Sequence, residues 1–292
     1  MKILKPEMID FDTILKYAIA PRPICFASTV DQKGNVNLSP FSYFNIVSQH
    51  PAICVFSPLR RMRDGTTKHT LQNLEEVKEL VINIVNYNMV QQQSLASTEY
   101  EKGINEFVKA GFTAIPSLVV RPPRVRESPV QLECKVQEII SLGDTPGAGN
   151  MVLAEILLMH IKDDVFDTDG QINQAKLDLV ARLGGDWYCR VTGVNLFEVP
   201  KPLKRRGIGV DQLPRHIRYS NILTGNHLGL LGNVEHLPDE RAIDALRCEP
   251  EIQELLNTFI GDRTTLETHL HQRAAALLDR GEVIQAWKLL LL

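Results

Sequence analysis

The feature that most constrains this chain is a pair of extended segments joined by a short turn near the amino terminus. Residues 24–30 form a short apolar run that is rich in strand-forming residues and ends in small hydroxyl residues. Residues 31–35 predict a turn, because Gly34 can adopt a positive φ. A second extended segment ends in Asn, Ser and Phe residues at Asn45. Hydroxyls, an amide and backbone N–H groups beside one turn suit a ligand that carries a phosphate, a polar tail and a flat ring.

The composition is typical of a globular protein. The chain has 292 residues, of which 44% are hydrophobic and 23% charged, enough for one large domain or two small ones. Its net charge of −3 gives no electrostatic reason to expect a nucleic-acid partner. The five cysteines form no Cys-x-x-Cys pair, and we expect reduced, mostly buried thiols. The amino terminus lacks a signal-peptide core and no stretch approaches a membrane span, so we expect a cytoplasmic protein with no membrane partner.

Short strands with helices inserted between them predict a β-rich, α+β region. The clearest strand is 130–142, where apolar and polar residues alternate with the period of two of a half-buried antiparallel strand. We expect Thr67 or Thr70 to cap a helix that continues to Val77. The other predicted strands are 53–57, 80–85, 117–120, 151–161 and 187–192, and the other predicted helices are 11–20, 88–97 and 176–182.

The character of the chain changes near Pro200. Residues 201–207 are basic and contain Pro and Gly, which is typical of a linker or a surface crossing. Beyond them apolar residues recur at helical spacing, as in the segment 252–260, and Asp239 stands where a helix N-cap is expected. We therefore predict two domains, residues 1–200 and a mostly helical carboxyl-terminal extension, residues 201–292.

A series of short motifs runs through roughly the first two thirds of the chain. They are Arg22-Pro23-Ile24, Ser28-Thr29, the block from Asn37 to Asn45, Ser57, the block from Lys68 to Asn73, Glu106-Phe107, residues 143–155 and Arg182-Leu183-Gly184-Gly185. Together they resemble the flavin reductase-like, FMN-binding split β-barrel family. The resemblance implies that residues 1–200 form an FMN-binding split β-barrel with inserted helices.

The resemblance also implies a flavin site. It places the flavin phosphate near the strand-end serines and the Lys68–Thr70 segment, where Lys68 can act as a point charge and Thr70 can donate its hydroxyl. Many relatives have a histidine where Asn150 stands, and an asparagine can bond the flavin but cannot titrate. The predicted FMN-binding residues are Ser28, Thr29, Asn37, Ser39, Phe41, Ser42, Asn45, Ser57, Lys68, Thr70, Asn150 and Tyr188. We predict no catalytic residue and no metal ligand.

Several of these residues also have a structural interpretation that stays open. The arginines at 60, 61 and 63, together with Lys68, can form a solvated surface, and Asn45 can bond its own backbone. Phe41 and Tyr188 can be core residues. The glycine-rich loop 143–150 is not a dinucleotide-binding turn, because an apolar strand follows it instead of a helix.

The resemblance implies an NAD(P)H:flavin oxidoreductase that uses FMN, with NADH or NADPH as hydride donor. It further implies a homodimer with flavin at the interface and a monooxygenase or other electron acceptor as partner. Three alternatives stay open: a flavoredoxin-like FMN electron carrier, a non-catalytic binding module that has lost flavin, and a relative of the pyridoxine-phosphate oxidase type.

Overall fold

A computed structural model describes residues 1, 3–7, 11–201 and 206–292 of the chain. The chain forms two compact units, Met1–Phe197 and Glu198–Leu292, and each is described by itself. The predicted linker 201–207 lies partly outside the described residues, which omit 202–205.

The amino-terminal unit is built on an antiparallel sheet of seven strands in the order β2-β1-β5-β8-β9-β4-β3. Two further strand pairs, β6 with β7 and β10 with β11, lie outside this sheet. The strands are β1 Cys25–Val30, β2 Val36–Phe41, β3 Phe44–Gln49, β4 Ala52–Phe56, β5 Glu79–Ile84, β6 Ala114–Ile115, β7 Arg124–Val125, β8 Val130–Ser141, β9 Asn150–Ile161, β10 Val180–Arg182 and β11 Tyr188–Arg190.

The connection between β2 and β3 requires the sheet to curl. These two strands stand at opposite edges of the sheet, yet only Ser42 and Tyr43 separate them in the chain. Two linking residues span at most about 11 Å between the flanking Cα atoms. Six inter-strand spacings in a flat sheet would place the edges about 29 Å apart. The sheet therefore rolls into a barrel whose edge strands approach each other at Ser42 and Tyr43, and we call this place the seam.

Strand β1 is buried on both faces, which explains why its sequence does not alternate between apolar and charged residues. On one face Cys25 and Ala27 belong to a core that includes residues of the other barrel strands and of the helix over residues 69–76. On the other face Ile24 and Phe26 belong to a second core under the segments that follow β5. Pro40 is tolerated in β2 because β2 is an edge strand.

The helices of this unit are short and lie between the strands. The helices are α1 Phe11–Ala18, α2 His69–Glu76, α3 Val90–Leu95, α4 Glu106–Ala110 and α5 Gln174–Leu177, with 3₁₀ turns at Tyr87–Met89, Asp163–Val165 and Gly193–Asn195.

All five cysteines of the chain are free thiols; Cys25, Cys54 and Cys134 are buried, whereas Cys248 is exposed.

Three local predictions are wrong. Residues 117–120 are not a strand: the backbone N–H groups of Leu118, Val119 and Val120 donate instead to the buried carboxylate of Glu133. Residues 176–182 are not one helix, because Asp178 takes the left-handed conformation with a φ of 50° and ends α5. Neither Thr67 nor Thr70 caps α2: its N-cap residue is Lys68, with no side-chain cap.

The carboxyl-terminal unit is helical. Its core surrounds Trp287, which is fully buried and donates from Nε1 to the carbonyl of Leu231 over 3.1 Å. Asp239 accepts from the N–H of Ala242, so its predicted role as an N-cap is confirmed. Within the described ranges no helix is long and apolar enough to cross a membrane. The helices are α6 Arg215–Arg218, α7 Gly225–Gly232, α8 Glu240–Arg247, α9 Pro250–Thr258, α10 Arg263–Asp279 and α11 Val283–Leu290, with a 3₁₀ turn at Val210–Gln212.

Candidate functional site

A small polar cavity of about 30 Å³ lies where β2 meets the start of α2. Four predicted site residues, Asn37, Ser39, Lys68 and Thr70, line it together. Glu106 also lines it and accepts the backbone N–H of Leu38 over 2.9 Å. Burial raises the pKa of the Glu106 carboxyl. We call this cavity the anion pocket, since it combines a cation with hydroxyl and amide donors.

Hydrogen bonds between side chains fix the wall of the anion pocket. The Asn37 amide donates to Thr70 Oγ1 over 2.9 Å, and the Asn73 amide donates to Thr29 Oγ1 over 3.1 Å. Asn37 and Thr29 are direct partners in the β1–β2 ladder, so they present their side chains to the same face, where α2 packs. All four side chains are buried. The first turn of α2 is therefore anchored to the sheet through polar contacts.

Positive charge is concentrated beside the anion pocket. Arg61 and Lys68 line it, and Arg63 follows on the same loop. Burial lowers the pKa of Lys68, an effect that the neighbouring Glu99 carboxylate opposes and the Arg61 guanidinium reinforces. The Arg61 side chain is only 10% exposed, and among the described residues no acceptor lies in hydrogen-bonding geometry with its Nε. A buried guanidinium N–H without an acceptor is a ready donor for an anion.

A second cavity, of about 280 Å³, opens at the seam. Three predicted residues, Phe41, Ser42 and Ser57, line it, and Lys68 lines it as well as the anion pocket. Its remaining walls are Lys16, Arg22, Pro40, Tyr43, Leu59, Arg182, Leu183 and Gly185. We call it the seam cavity; its walls include flat aromatic and proline surfaces.

Arg22 holds the seam cavity together. Its guanidinium donates to the carbonyls of Lys16 and Ile19 over 2.5 and 2.6 Å, and to the carbonyl of Leu183 over 2.9 Å. Its Nε lies 3.5 Å from Ser42 Oγ. One buried side chain thus joins the end of α1, the seam and a segment 161 residues further along the chain.

The packing of α1 against the same segment depends on a glycine. A Cβ at Gly184 would lie 2.3 Å from Cγ of Tyr17, so the Tyr17 ring rests directly on the glycine backbone. A larger residue at this position would displace the Tyr17 ring from the glycine backbone.

A third cavity, of about 680 Å³, adjoins the seam cavity through Pro40, Phe41, Ser42 and Arg182. Tyr188 lines it, and the Arg182 guanidinium lies 4.6 Å from the centre of the Tyr188 ring. Tyr188 also packs against the second core, so its two predicted roles, site residue and core residue, are compatible.

Four predicted site residues lie outside these three cavities. Ser28 is fully buried on the face of β1 that packs on the second core, as is its strand partner Leu38. Thr29 is bonded to Asn73. Asn45 is exposed and accepts the N–H of Ile46, the local backbone bond left open as its alternative. Asn150 is buried and donates to the carbonyl of Pro58 over 3.0 Å.

The cavities also include residues that were not among the predicted site residues. Arg22, Tyr43, Arg61 and Glu106 are the main ones. Arg22, Tyr43 and Glu106 stand inside the motifs that carry the family resemblance, so their position in those motifs was an available signal. Arg61 is one of three closely spaced arginines, and the sequence does not distinguish it from its neighbours.

A profile of the flavin reductase like domain matches residues 17–176. An uncharacterised protein of Aquifex aeolicus is 33% identical over 187 residues, which cover 63% of this chain and 93% of that protein. The profile match lies within the amino-terminal unit.

Two solved structures resemble about two thirds of the chain. The nitrilotriacetate monooxygenase component B of Bacillus cereus aligns with a TM-score of 0.63 and 29% identity, over 68% of this chain and 98% of that one. A protein of Shewanella frigidimarina assigned as a flavin reductase with a split barrel domain aligns with a TM-score of 0.57 and 26% identity, over 65% of this chain and 90% of that one. The predicted fold class, a β-rich α+β split barrel with inserted helices and a helical carboxyl-terminal region, is confirmed.

Proposed function

The chain belongs to the flavin reductase-like family, and from that premise we propose that it is an FMN-dependent NAD(P)H:flavin oxidoreductase. Membership supports a flavin-related oxidoreductase; the choice of FMN and of NADH or NADPH as donor is our proposal.

The observation that carries the proposal is the position of Lys68, which lines both the anion pocket and the seam cavity. A ligand with a phosphate at one end and a flat ring at the other can place the phosphate against Lys68 and Thr70. Its ring can then enter the seam cavity past Ser42. Small side chains along this path let a ligand approach the backbone closely.

The residues present fit the phosphate of FMN. Lys68 supplies a charge, Thr70 and Ser39 supply hydroxyls, and Arg61 supplies a buried N–H without an acceptor. Charge-assisted hydrogen bonds of this kind are the strong ones. We propose Ser28, Thr29 and Asn150 as residues that shape the site through packing and hydrogen bonds, in place of the direct flavin contacts that the sequence predicted.

When bound, the flavin supplies the redox chemistry, accepting a hydride from the nicotinamide and passing the electrons on. The protein then binds the flavin, orients its ring toward the nicotinamide and shields the ring from water. Lys68 and Thr70 hold the phosphate, and Phe41, Ser42 and Tyr43 define the walls at the ring. Such a reaction depends on alignment, so the absence of a predicted acid–base residue is consistent with it.

We propose a homodimer that delivers electrons to a monooxygenase or another acceptor. The name of the Bacillus cereus structure, a monooxygenase component, supports such a partner. Leu157 and Met159 of β9 are large apolar side chains that are 46% and 50% exposed, which supports burial of this part of β9 by a second copy.

The first test is an absorbance spectrum of the purified protein before and after FMN is added and the sample is desalted. Flavin bands that bleach anaerobically with NADH or NADPH are the expected result, and the nucleotide that bleaches them faster is the donor. Flavin that is retained but reduced by neither nucleotide would support an electron carrier. A protein that neither retains flavin nor turns over free FMN in a steady-state assay would contradict the proposal.

A further inference from the structure

Two carboxylates lie among the cations beside the anion pocket: Asp64 pairs with Arg63 at 3.0 Å, and Glu99 contacts Arg61 and Lys68 as well as Arg63. Glu99 Oε1 is 3.4 Å from Arg61 Nε and 3.9 Å from Lys68 Nζ, and Glu99 Oε2 is 3.2 Å from Arg63 Nη1. The three cations come from the loop before α2 and from the N-cap of α2, whereas Glu99 follows α3. Glu99 is thus a single anion in contact with three cations of another segment.

Two of these cations line the anion pocket, and so does Glu99 itself. All four residues also line an adjoining cavity of about 630 Å³, whose wall includes Lys16 and Arg60. Beside these five cations the same wall carries two carboxylates, Asp12 and Glu99. Asp12 pairs with Lys16 at 3.3 Å, which leaves Glu99 as the acid of this wall that faces Arg61 and Lys68.

Glu99 and Arg61 form an ion pair that lacks hydrogen-bonding geometry at Arg61 Nε. The Glu99 oxygen lies 3.4 Å from Arg61 Nε, yet that N–H has no acceptor in hydrogen-bonding geometry among the described residues. A phosphate has more oxygens and more charge, and can satisfy this N–H while it contacts Lys68. The Glu99 side chain is 38% exposed, so it can turn toward water without becoming a buried unpaired charge.

We propose that Glu99 is a built-in competitor for phosphate, which neutralises the anion pocket when the pocket is empty and makes the bound flavin exchangeable. This inference rests on the proposed function and refines it. An incoming phosphate must displace the carboxylate from Arg61 and Lys68, so part of the attraction of the cations is already satisfied before the ligand arrives. The site then favours a flavin that enters and leaves over one that is retained permanently.

The test compares Glu99→Gln with wild type and with Glu101→Gln. Glu101 is an exposed carboxylate two residues away that lines neither cavity, so its substitution changes the net charge equally. Three probes are titrated: FMN, riboflavin and inorganic pyrophosphate. Removal of a partly exposed carboxylate should tighten FMN and pyrophosphate binding about three- to tenfold. Riboflavin, which lacks the phosphate, should bind all three proteins equally.

Further readouts follow from the same variants. Glu99→Gln should keep a larger fraction of FMN through desalting, and its FMN affinity should fall more steeply with salt concentration, because the uncompensated cations interact more strongly with the phosphate. The Glu99→Asp side chain is shorter and contacts the cations less closely. Its FMN affinity and FMN retention should therefore lie between those of wild type and Glu99→Gln.

The outcomes separate this inference from the proposed function. Equal FMN and pyrophosphate affinities in wild type and Glu99→Gln, or equal tightening for riboflavin, would overturn the role of Glu99. If Glu101→Gln binds FMN and pyrophosphate more tightly to the same extent, the change in net charge explains the effect, and the role of Glu99 is again overturned. If no protein binds flavin but Glu99→Gln binds pyrophosphate more tightly, the competitor role stands and the FMN proposal fails.

Discussion

The side-chain amide of Asn37 donates a 2.9 Å hydrogen bond to the hydroxyl oxygen of Thr70, which joins edge strand β2 to the first turn of α2. A threonine hydroxyl that accepts one hydrogen bond still has its own O–H to donate. Both residues line the anion pocket, and we propose that Thr70 donates to a ligand there.

Replacement of Lys68 by alanine should weaken FMN binding by about 1–3 kcal/mol, because one charge-assisted contact to the phosphate is lost. Fluorescence titration measures the affinity. Lys102→Ala, at an exposed lysine outside the anion pocket, serves as the control and should bind FMN as wild type does. Riboflavin affinity should be unchanged in Lys68→Ala; an equal loss for riboflavin would remove Lys68 from the phosphate site.

Replacement of Thr70 by valine should weaken FMN binding and lower the free energy of unfolding by about 1–2 kcal/mol, because the buried Asn37 amide loses its acceptor. Thr70→Ser keeps the hydroxyl and should retain both properties in large part. Thr29→Val is the matched control, because Thr29 accepts from Asn73 of the same helix but lies outside the cavities described. Thr29→Val should lose stability without a comparable loss of FMN affinity. If both variants lose stability and FMN affinity in parallel, the role of Thr70 is structural alone.

The affinity for FMN should fall as the pH rises, and this fall should begin at a lower pH than the usual pKa of a lysine would give. Burial lowers the pKa of Lys68, so the ammonium that attracts phosphate is present below that lowered pKa and is lost as the pH rises through it. Titrations of FMN and riboflavin over the same alkaline range measure the effect. The ratio of the two affinities should decline in wild type and stay flat in Lys68→Ala; a wild-type ratio independent of pH would contradict the assignment.

Replacement of Glu133 by glutamine should lower the free energy of unfolding by about 2–4 kcal/mol at neutral pH, because a buried carboxylate bound to several donors is lost. Burial alone would raise the pKa of Glu133, but the N–H groups of Leu118, Val119 and Val120 and the ring of His160 hold that pKa below its usual range. A lowered folded-state pKa contributes stability above the unfolded pKa, and this stability is lost as the pH falls through the folded value.

The difference between Glu133→Gln and wild type should therefore shrink in acid. Chemical denaturation at neutral and acidic pH measures it. Glu138→Gln changes an exposed carboxylate of the same strand and should stay within about 0.5 kcal/mol of wild type at both pH values. A Glu133→Gln protein as stable as Glu138→Gln at neutral pH would contradict the proposed anchoring of residues 118–120.

Elements whose signal is local could be predicted from the sequence. The alternation in residues 130–142 predicts a strand, and β8 covers 130–141 of that range. The predicted half-burial is wrong for the first part of β8, because Gln131 and Glu133 of the polar face are also buried and find hydrogen-bond partners there. Lys68 and Thr70 are close in sequence, so their shared cavity required no knowledge of the fold. Residues 117–120 were mistaken for a strand because their backbone partner, Glu133, lies on another element and leaves no local trace.

The seam cavity could not be predicted from spacing. It needs the contact between Arg22 and the carbonyl of Leu183, which are 161 residues apart. Burial also gives two predicted site residues surroundings that the sequence does not reveal. Ser28 lies fully buried on a core face, and Asn150 donates to the carbonyl of Pro58; their contact with flavin stays a prediction. Residue type alone does not reveal the direction in which a side chain points.

The two-residue connection between β2 and β3 also limits how far apart the two edge strands can lie at this end of the barrel. Because Ser42 and Tyr43 set the greatest distance between the edge strands, the length of this link limits the width of the opening between them. Added residues would let the ends of these two strands move further apart. We therefore expect an insertion at Ser42 and Tyr43 to enlarge the seam cavity, which both residues line.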